Sequence, residues 1–239
     1  LGMEFLHAGL PKRTLPAHWT PPTPGPARPS NPPQWRESLL QLLAHPNICS
    51  REGLIRQYDH EVQGSSVVRP LVGVALDGPS DAAVLRPDHD SDQGVVVSCA
   101  INPLYGDHDP ERMAELLVDE AIRNAVAVGA DPDRLALLDN FCWPDPVEHA
   151  QKNPDGAFKM GQLVRCCRGL SRAVVAFQAP LISGKDSMKN DYHGVDGKLS
   201  IPPTLLISAI ANLEEVGKAV TMDLKQVGDR VYLLGPEQS

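Results

Sequence analysis

The sequence lacks most of the signatures from which function is usually read. No apolar run approaches the ~18–20 residues that a membrane-spanning helix requires. The first residues do not show the basic-then-apolar pattern of a secretory signal. No CxxC pair is present, and the five cysteines (Cys49, Cys99, Cys142, Cys166 and Cys167) are odd in number. Neither a zinc site nor a disulfide framework is expected; reduced, mostly buried thiols in a cytoplasmic protein are. The chain has no GxGxxG and no GxxxxGK[ST]. A nucleotide, if bound, is not held by either of those phosphate cradles. No internal repeat is apparent. The formal net charge of -8 argues against a nucleic-acid or anionic-membrane surface, while leaving room for a local basic patch around a phosphate.

What is present suits a globular enzyme or binding domain. The 239 residues, 42% hydrophobic, suffice for one large or two modest domains with a real core. The chain opens on Leu1 without an initiator Met and stops just after the strand-like run VGDRVYLLG. It is therefore expected to be a fragment of a longer protein. Residues 1–10 read as a last strand, the tail of a preceding domain. Residues 11–34 carry prolines at 11, 16, 21, 22, 24, 26, 29, 32 and 33. Such density forbids helix and central strand and reads as a stiff linker; a proline-rich recognition peptide is the alternative.

The folded unit begins near Trp35. WRESLLQLLAHPN has helical apolar spacing and ends at His45-Pro46. Ser50 is placed to cap a short second helix. Val67-Val68 and Leu71-Val72 read as short strands, 81–87 and 94–102 as stronger ones. The acidic loop between them (Asp88, Asp90, Asp92) lacks the glycine and glutamate of a calcium loop and reads as a solvated turn. Asp109-Pro110 opens a helix that stops at Gly129. Strands follow at 134–144, at LISGKDS and at PPTLLISAIANL, with a long amphipathic helix over GAFKMGQLVRCCRGLSRAVVAFQA. Interleaved strands and helices give an α/β or α+β class.

Leu181 to Tyr192, LISGKDSMKNDY, concentrates the polar chemistry. An apolar strand arrives at Ser183-Gly184, where a sharp turn would let backbone N–H groups converge on an anion. Lys185 would supply charge, Ser187 a hydroxyl and Asp186 a metal ligand. The stretch reads equally as a polar turn between a helix and the next strand.

PSDAAVLRP, DEAIRNAVAVGA, LLDNFCWP and ISGKDSMKND occur in that order, with YDHEVQGSSVVRPLVG and LGMEFLHAGLP before them. Together they resemble the phosphoribosylformylglycinamidine synthase family, related to aminoimidazole ribonucleotide synthetase. The resemblance implies a ligase of purine biosynthesis. Its enzyme uses ATP and ammonia from glutamine to turn formylglycinamide ribonucleotide into its amidine. It implies a second A-type domain at 35–225, a mixed sheet with helices on one side that pairs with a pseudo-equivalent first half into a β-barrel. Residues 226–239 would start a truncated B-type domain. Implied partners are the first half of the synthetase, a glutaminase domain or subunit, and formylglycinamide ribonucleotide. The isolated domain is expected to be a homodimer that is inactive alone. The alternatives are a structural half-barrel without bound nucleotide, or a selenophosphate synthetase-like enzyme.

The resemblance also assigns residues. Asp81, Glu120 and Asn124 match magnesium ligands around an auxiliary ATP or ADP, with Ser80 beside the nucleotide. On residue pattern alone, Glu120 and Asn124 read as an exposed helix face. Asp139 and Gly184 match nucleotide contacts, and Ser187 a substrate-phosphate serine. Lys185 replaces a ligating asparagine of the small form of the enzyme. An ammonium has no lone pair for magnesium, so Lys185 is assigned to a phosphate, and Asp186 to a displaced ligand or a turn cap. No catalytic residue is expected in this chain. His60 reads as a turn or interface histidine, and Cys142 as a buried thiol rather than a glutaminase nucleophile.

Overall fold

The apolar periodicities of the sequence become elements close to where they are expected. A computed structural model describes residues 2–9, 12–23, 25, 34–195 and 197–235. The helices are α1 (Met3–Ala8), α2 (Trp35–Ala44), α3 (Glu52–Ile55), α4 (Leu104–His108), α5 (Pro110–Ala127) and α6 (Gly156–Ala176). The strands are β1 (Ser66–Val68), β2 (Leu71–Val72), β3 (Gly78–Pro79), β4 (Ala83–Leu85), β5 (Gly94–Ile101), β6 (Leu135–Cys142), β7 (Leu181–Ser187), β8 (Asp191–Gly194), β9 (Gly197–Ser200) and β10 (Thr204–Leu213). Six of them form a sheet in the order β1-β4-β5-β10-β6-β7. The sheet is mixed: β1–β4 and β4–β5 are antiparallel, whereas β6–β7 is parallel. The α/β class is thus as expected.

Period-two alternation divides the sheet faces. In β5, Val96 and Ala100 are buried, whereas Val97, Cys99 and Ile101 are exposed. In β10, Leu205, Ile207, Ala209, Ala211 and Leu213 are buried and alternate with more open residues.

The described residues divide into two bodies. One comprises Leu1–Pro26, Cys99–Ile122 and Leu135–Ala209; the other comprises Ala27–Ser98, Arg123–Arg134 and Ile210–Ser239. In the first, Met113, Leu117, Val118, Leu137, Trp143, Leu205 and Ile207 are fully buried. Gly169 brings α6 close to the start of α5, for a Cβ there would lie 2.1 Å from the Glu111 carbonyl oxygen. Arg165 reaches across the same contact to Asp109 and Glu111 at 2.9 and 3.0 Å. In the second body, Val68, Leu71, Val84, Val96, Val128 and Leu213 form the core. There, Arg86 donates to the carbonyls of His89 and Ser91, fastening the acidic 88–93 loop as a polar turn.

Four expectations are corrected. Residues 3–8 are helical, not a strand: MEFLHA has no ladder partner, and its residues favour helix. VGDRVYLLG forms no strand among the described residues, where it pairs with nothing; Leu233 and Leu234 are almost fully exposed. The thiols are not mostly buried: Cys166 is, but Cys99 and Cys167 are exposed and Cys49 and Cys142 intermediate. The proline-rich segment is not simply a spacer. Residues 11, 24 and 26–33 of it lie outside the described residues. Nearer its start, the His18 N–H donates to the Ala157 carbonyl at 3.1 Å, and the Arg165 guanidinium stacks 4.0 Å from the centre of the Trp19 ring. Gly161 makes this approach possible; a Cβ there would fall 2.0 Å from the His18 carbonyl oxygen. The β8–β9 hairpin is a further element that the sequence reading does not contain.

Candidate functional site

LISGKDS is a strand throughout. β7 continues from Leu181 to Ser187 without turning at Gly184. Its backbone pairs in parallel with β6, setting Asp139 opposite Gly184, Asn140 opposite Lys185, Phe141 opposite Asp186 and Cys142 opposite Ser187. An extended strand points its successive N–H groups to alternate edges and cannot converge them on an anion, so the expected phosphate turn at Ser183-Gly184 is absent, and Asp186 is not a turn cap. The reversal comes later, at Lys189, whose φ is 63°.

A continuous strand sorts the expected site residues by parity. Gly184 and Asp186 face the side of Asp139; Lys185 and Ser187 face the other side, with Cys142. On the first face, a Gly184 Cβ would lie 2.7 Å from Asp139 Oδ1. Burial first, then the neighbouring Asp186 carboxylate, raises the Asp139 carboxyl above its ordinary range. The Cys167 thiol of α6 is also raised, first by partial desolvation although the residue as a whole is exposed, then by Asp186 and Asp139. On the opposite face, Asn190 Nδ2 donates to the Ser187 hydroxyl at 3.0 Å and to the Ser187 carbonyl at 2.8 Å. The same amide reaches the Trp143 carbonyl and lies 3.5 Å from Cys142 Sγ. The expected nucleotide pair Asp139–Gly184 and the expected phosphate pair Lys185–Ser187 are therefore neighbours within the β6–β7 pair but on opposite faces.

The remaining expected residues lie elsewhere. Ser80 donates its hydroxyl to the Ala82 carbonyl at 2.7 Å, closing the turn before β4. Asp81 is exposed in that turn. Glu120 is exposed and Asn124 half-buried, one turn apart on α5. Among the described residues, no group of three or more His, Cys, Asp and Glu side chains is arranged to hold a metal. His60 has its Nδ1 3.4 Å from the Tyr58 carbonyl and its Nε2 3.7 Å from Glu61, as a turn histidine would.

A buried ionic network escaped the sequence reading. Lys159 of α6, 7% exposed, donates to Asp155 at 3.0 Å and Ser200 at 2.9 Å, and to Asn153 at 3.3 Å. Asp191 accepts from the Asp145 N–H at 2.9 Å, and Lys198 lies 3.5 Å from its other oxygen. Burial alone would raise the Asp191 carboxyl; Ser200, the Asp145 N–H, Lys198 and Lys159 outweigh it and hold the group below its usual range. The alternation D-Y-H at 191–193 facing K-L-S at 198–200 is the signal that could have found this network.

Comparison with known proteins places these elements. Residues 79–210 match the family described as AIR synthase related protein, N-terminal domain. The chain belongs to that family. It is homologous to part of PurL: it is 34% identical over 203 residues to phosphoribosylformylglycinamidine synthase subunit PurL of Methanothrix thermoacetophila, covering 83% of this chain and 24% of that protein. The subunit of Synechococcus elongatus is 36% identical over 210 residues, covering 84% and 25%. The chain thus spans about a quarter of the length of the curated relatives it matches. Among solved structures, T. maritima PurL complexed with ATP is 23% identical with a TM-score of 0.54, over 72% of this chain and 24% of that one. T. maritima PurL complexed with FGAR is 25% identical with a TM-score of 0.53, over 70% and 23%. These likenesses carry the fold. Among the described residues, no helix is long and apolar enough to cross a membrane.

Proposed function

We propose that this chain is the second A-type domain of a cytoplasmic, ATP-dependent phosphoribosylformylglycinamidine synthase, contributing one wall of a site rather than a complete one. The identity of 34–36% to PurL subunits over most of the chain carries the proposal. Asp139 and Gly184 contact a nucleotide; Lys185 and Ser187 serve the phosphate of formylglycinamide ribonucleotide. Their separation onto two sheet faces fits two ligands better than one. The first half of the synthetase and a glutaminase domain or subunit complete the reaction, so the chain alone turns nothing over.

Asp81, Glu120 and Asn124 hold magnesium with the auxiliary ATP or ADP. Their donors, two carboxylates and an amide oxygen, are the hard oxygens that magnesium prefers, and magnesium would there neutralise phosphate charge. Ser80 lies beside the nucleotide. The open face of β5, with Val97 and Ile101, meets the pseudo-equivalent first half to close a barrel. Calorimetric titration with ADP and magnesium tests the reading in this chain and in the intact synthetase. Saturable binding that Glu120→Ala weakens at least tenfold supports it; heat-silent titrations, together with an indifferent Glu120→Ala, overturn it. One observation favours the rival, a structural domain without nucleotide: the Ser80 and Ser187 hydroxyls are both engaged in internal hydrogen bonds.

A further inference from the structure

We propose that the pocket between the β6–α6 loop and the β8–β9 hairpin is an oxyanion site that takes a phosphate group, free or as an ester. It stands apart from the nucleotide and substrate-phosphate residues named above and does not depend on those assignments. The pocket has a volume of about 250 Å³, room for a phosphate and a small attached group. Its walls lie wholly within one body.

The hairpin register explains one wall. Asp191 pairs with Ser200, and His193 with Lys198. Alternation turns these four toward the loop, while Tyr192 and Leu199, each 69% exposed, face away. Lys152 and His149 come from the loop, and Lys189 from the reversal after β7. Against them stand the carboxylates of Asp145 and Glu148. Lys198 is matched by the Asp191 carboxylate beneath, which leaves Lys152 and Lys189 as the cations of the lining that face an anion.

Lys198 is fixed from below, while Lys152 and Lys189 stand open at the rim. Asn153, 3% exposed, donates to the carbonyls of Asp145 and Val147 at 2.8 and 2.6 Å, and its own oxygen accepts from Lys198. Asp191 beneath is matched by Lys198 and Lys159, so its charge does not oppose an anion above it. His149 Nδ1 accepts from the N–H groups of Gln151 and Lys152 at 3.4 and 3.3 Å. The neutral ring therefore keeps its proton on Nε2, as a donor. Lys189 adopts a left-handed φ of 63°, which side-chain-bearing residues rarely take up and which recurs at ligand clamps. Its side chain is 64% exposed, and its ammonium forms an ion pair with Asp145 at 3.8 Å, longer than a hydrogen bond, which leaves its N–H donors to a ligand.

Nuclear magnetic resonance titration of the full chain with inorganic phosphate, at constant ionic strength balanced with chloride and without nucleotide or magnesium, tests this. Saturable amide shifts at 145–153 and 191–199 are expected, weakened at least tenfold in Lys152→Gln/Lys189→Gln and strengthened in Glu148→Gln. Both lysines are exposed, so circular dichroism of the double variant should match the parent. Ribose 5-phosphate as second probe separates the sources: tighter binding than inorganic phosphate assigns a phosphate ester, equal binding the free ion. Absent shifts, shifts that chloride reproduces, or an unaltered double variant overturn the site. Because no nucleotide is present, either result leaves the magnesium–ADP titration to stand or fall separately.

Discussion

Asp139 and Gly184 stand side by side across the parallel β6–β7 pair, and the Asp139 carboxylate fills the place of a Gly184 side chain, 2.7 Å from where its Cβ would be. The obstructing atoms are the far end of a flexible side chain, so Gly184→Ala should displace the carboxylate rather than break the sheet. We expect a stability loss of about 1 kcal/mol in urea unfolding. If Asp139 contacts the nucleotide, magnesium–ADP affinity should fall at least tenfold in the same variant. Unchanged affinity would remove Asp139 from the nucleotide site.

Asp139 should also leave a pH signature. Its carboxyl is raised by burial and then by Asp186, so the folded chain binds its proton more tightly than the unfolded chain does. Stability is then lost as pH rises from the unfolded value, about 3.9, through the raised folded value. Asp139→Asn abolishes that ionisation. Its melting temperature should exceed the parent's at pH 7, and the gain should vanish by about pH 3.5. Asp109 and Asp191, both lowered, weaken the two proteins alike in acid, so only the difference is read. A variant less stable than its parent at pH 7 would contradict the account.

The sequence shows local periodicity well and pairing poorly, and the site follows that division. β5, β6, α5, α6 and β10 were legible because each is a long apolar run of one period. Gly184 was misread because glycine before a polar cluster signals a turn, while its actual constraint is the Asp139 carboxylate, 45 residues earlier in the chain. Lys159 was unreadable for a similar reason. It sits in an amphipathic helix like any solvated lysine, and only Ser200, Asn153 and Asp155, brought together in space, make it internal.

The docked proline-rich segment gives a third test. Gly161→Val would set side-chain atoms into the His18 backbone, an obstruction that cannot swing aside. In a Trp35→Phe background, chosen because Trp35 is 68% exposed, emission should shift to the red as Trp19 leaves Arg165. Tryptic cleavage at Lys12 and Arg13 should accelerate, with α6 intact by circular dichroism. Overpacking of this kind costs about 1–3 kcal/mol. Unaltered emission and cleavage would mean that the contact does not hold the segment in solution.

The open sheet face bears on whether this chain stays single. Val97 and Ile101, 38% and 54% exposed, stand with Cys99 on the side of β5 opposite the buried Val96 and Ala100. Two aliphatic side chains flanking Cys99 on one strand face offer an apolar surface that a partner face can cover. The face suits a second copy, since a twofold arrangement sets the same strand against itself and covers both at once. Light scattering across a concentration series should therefore show a dimer. Ile101→Lys would place two ammonium groups near that axis, where like charges repel and burial is costly, and should return the chain to a monomer with little effect on the covered face or on melting. A monomer at high concentration in the parent, or a dimer untouched by Ile101→Lys, would assign the face to something other than a copy of this chain.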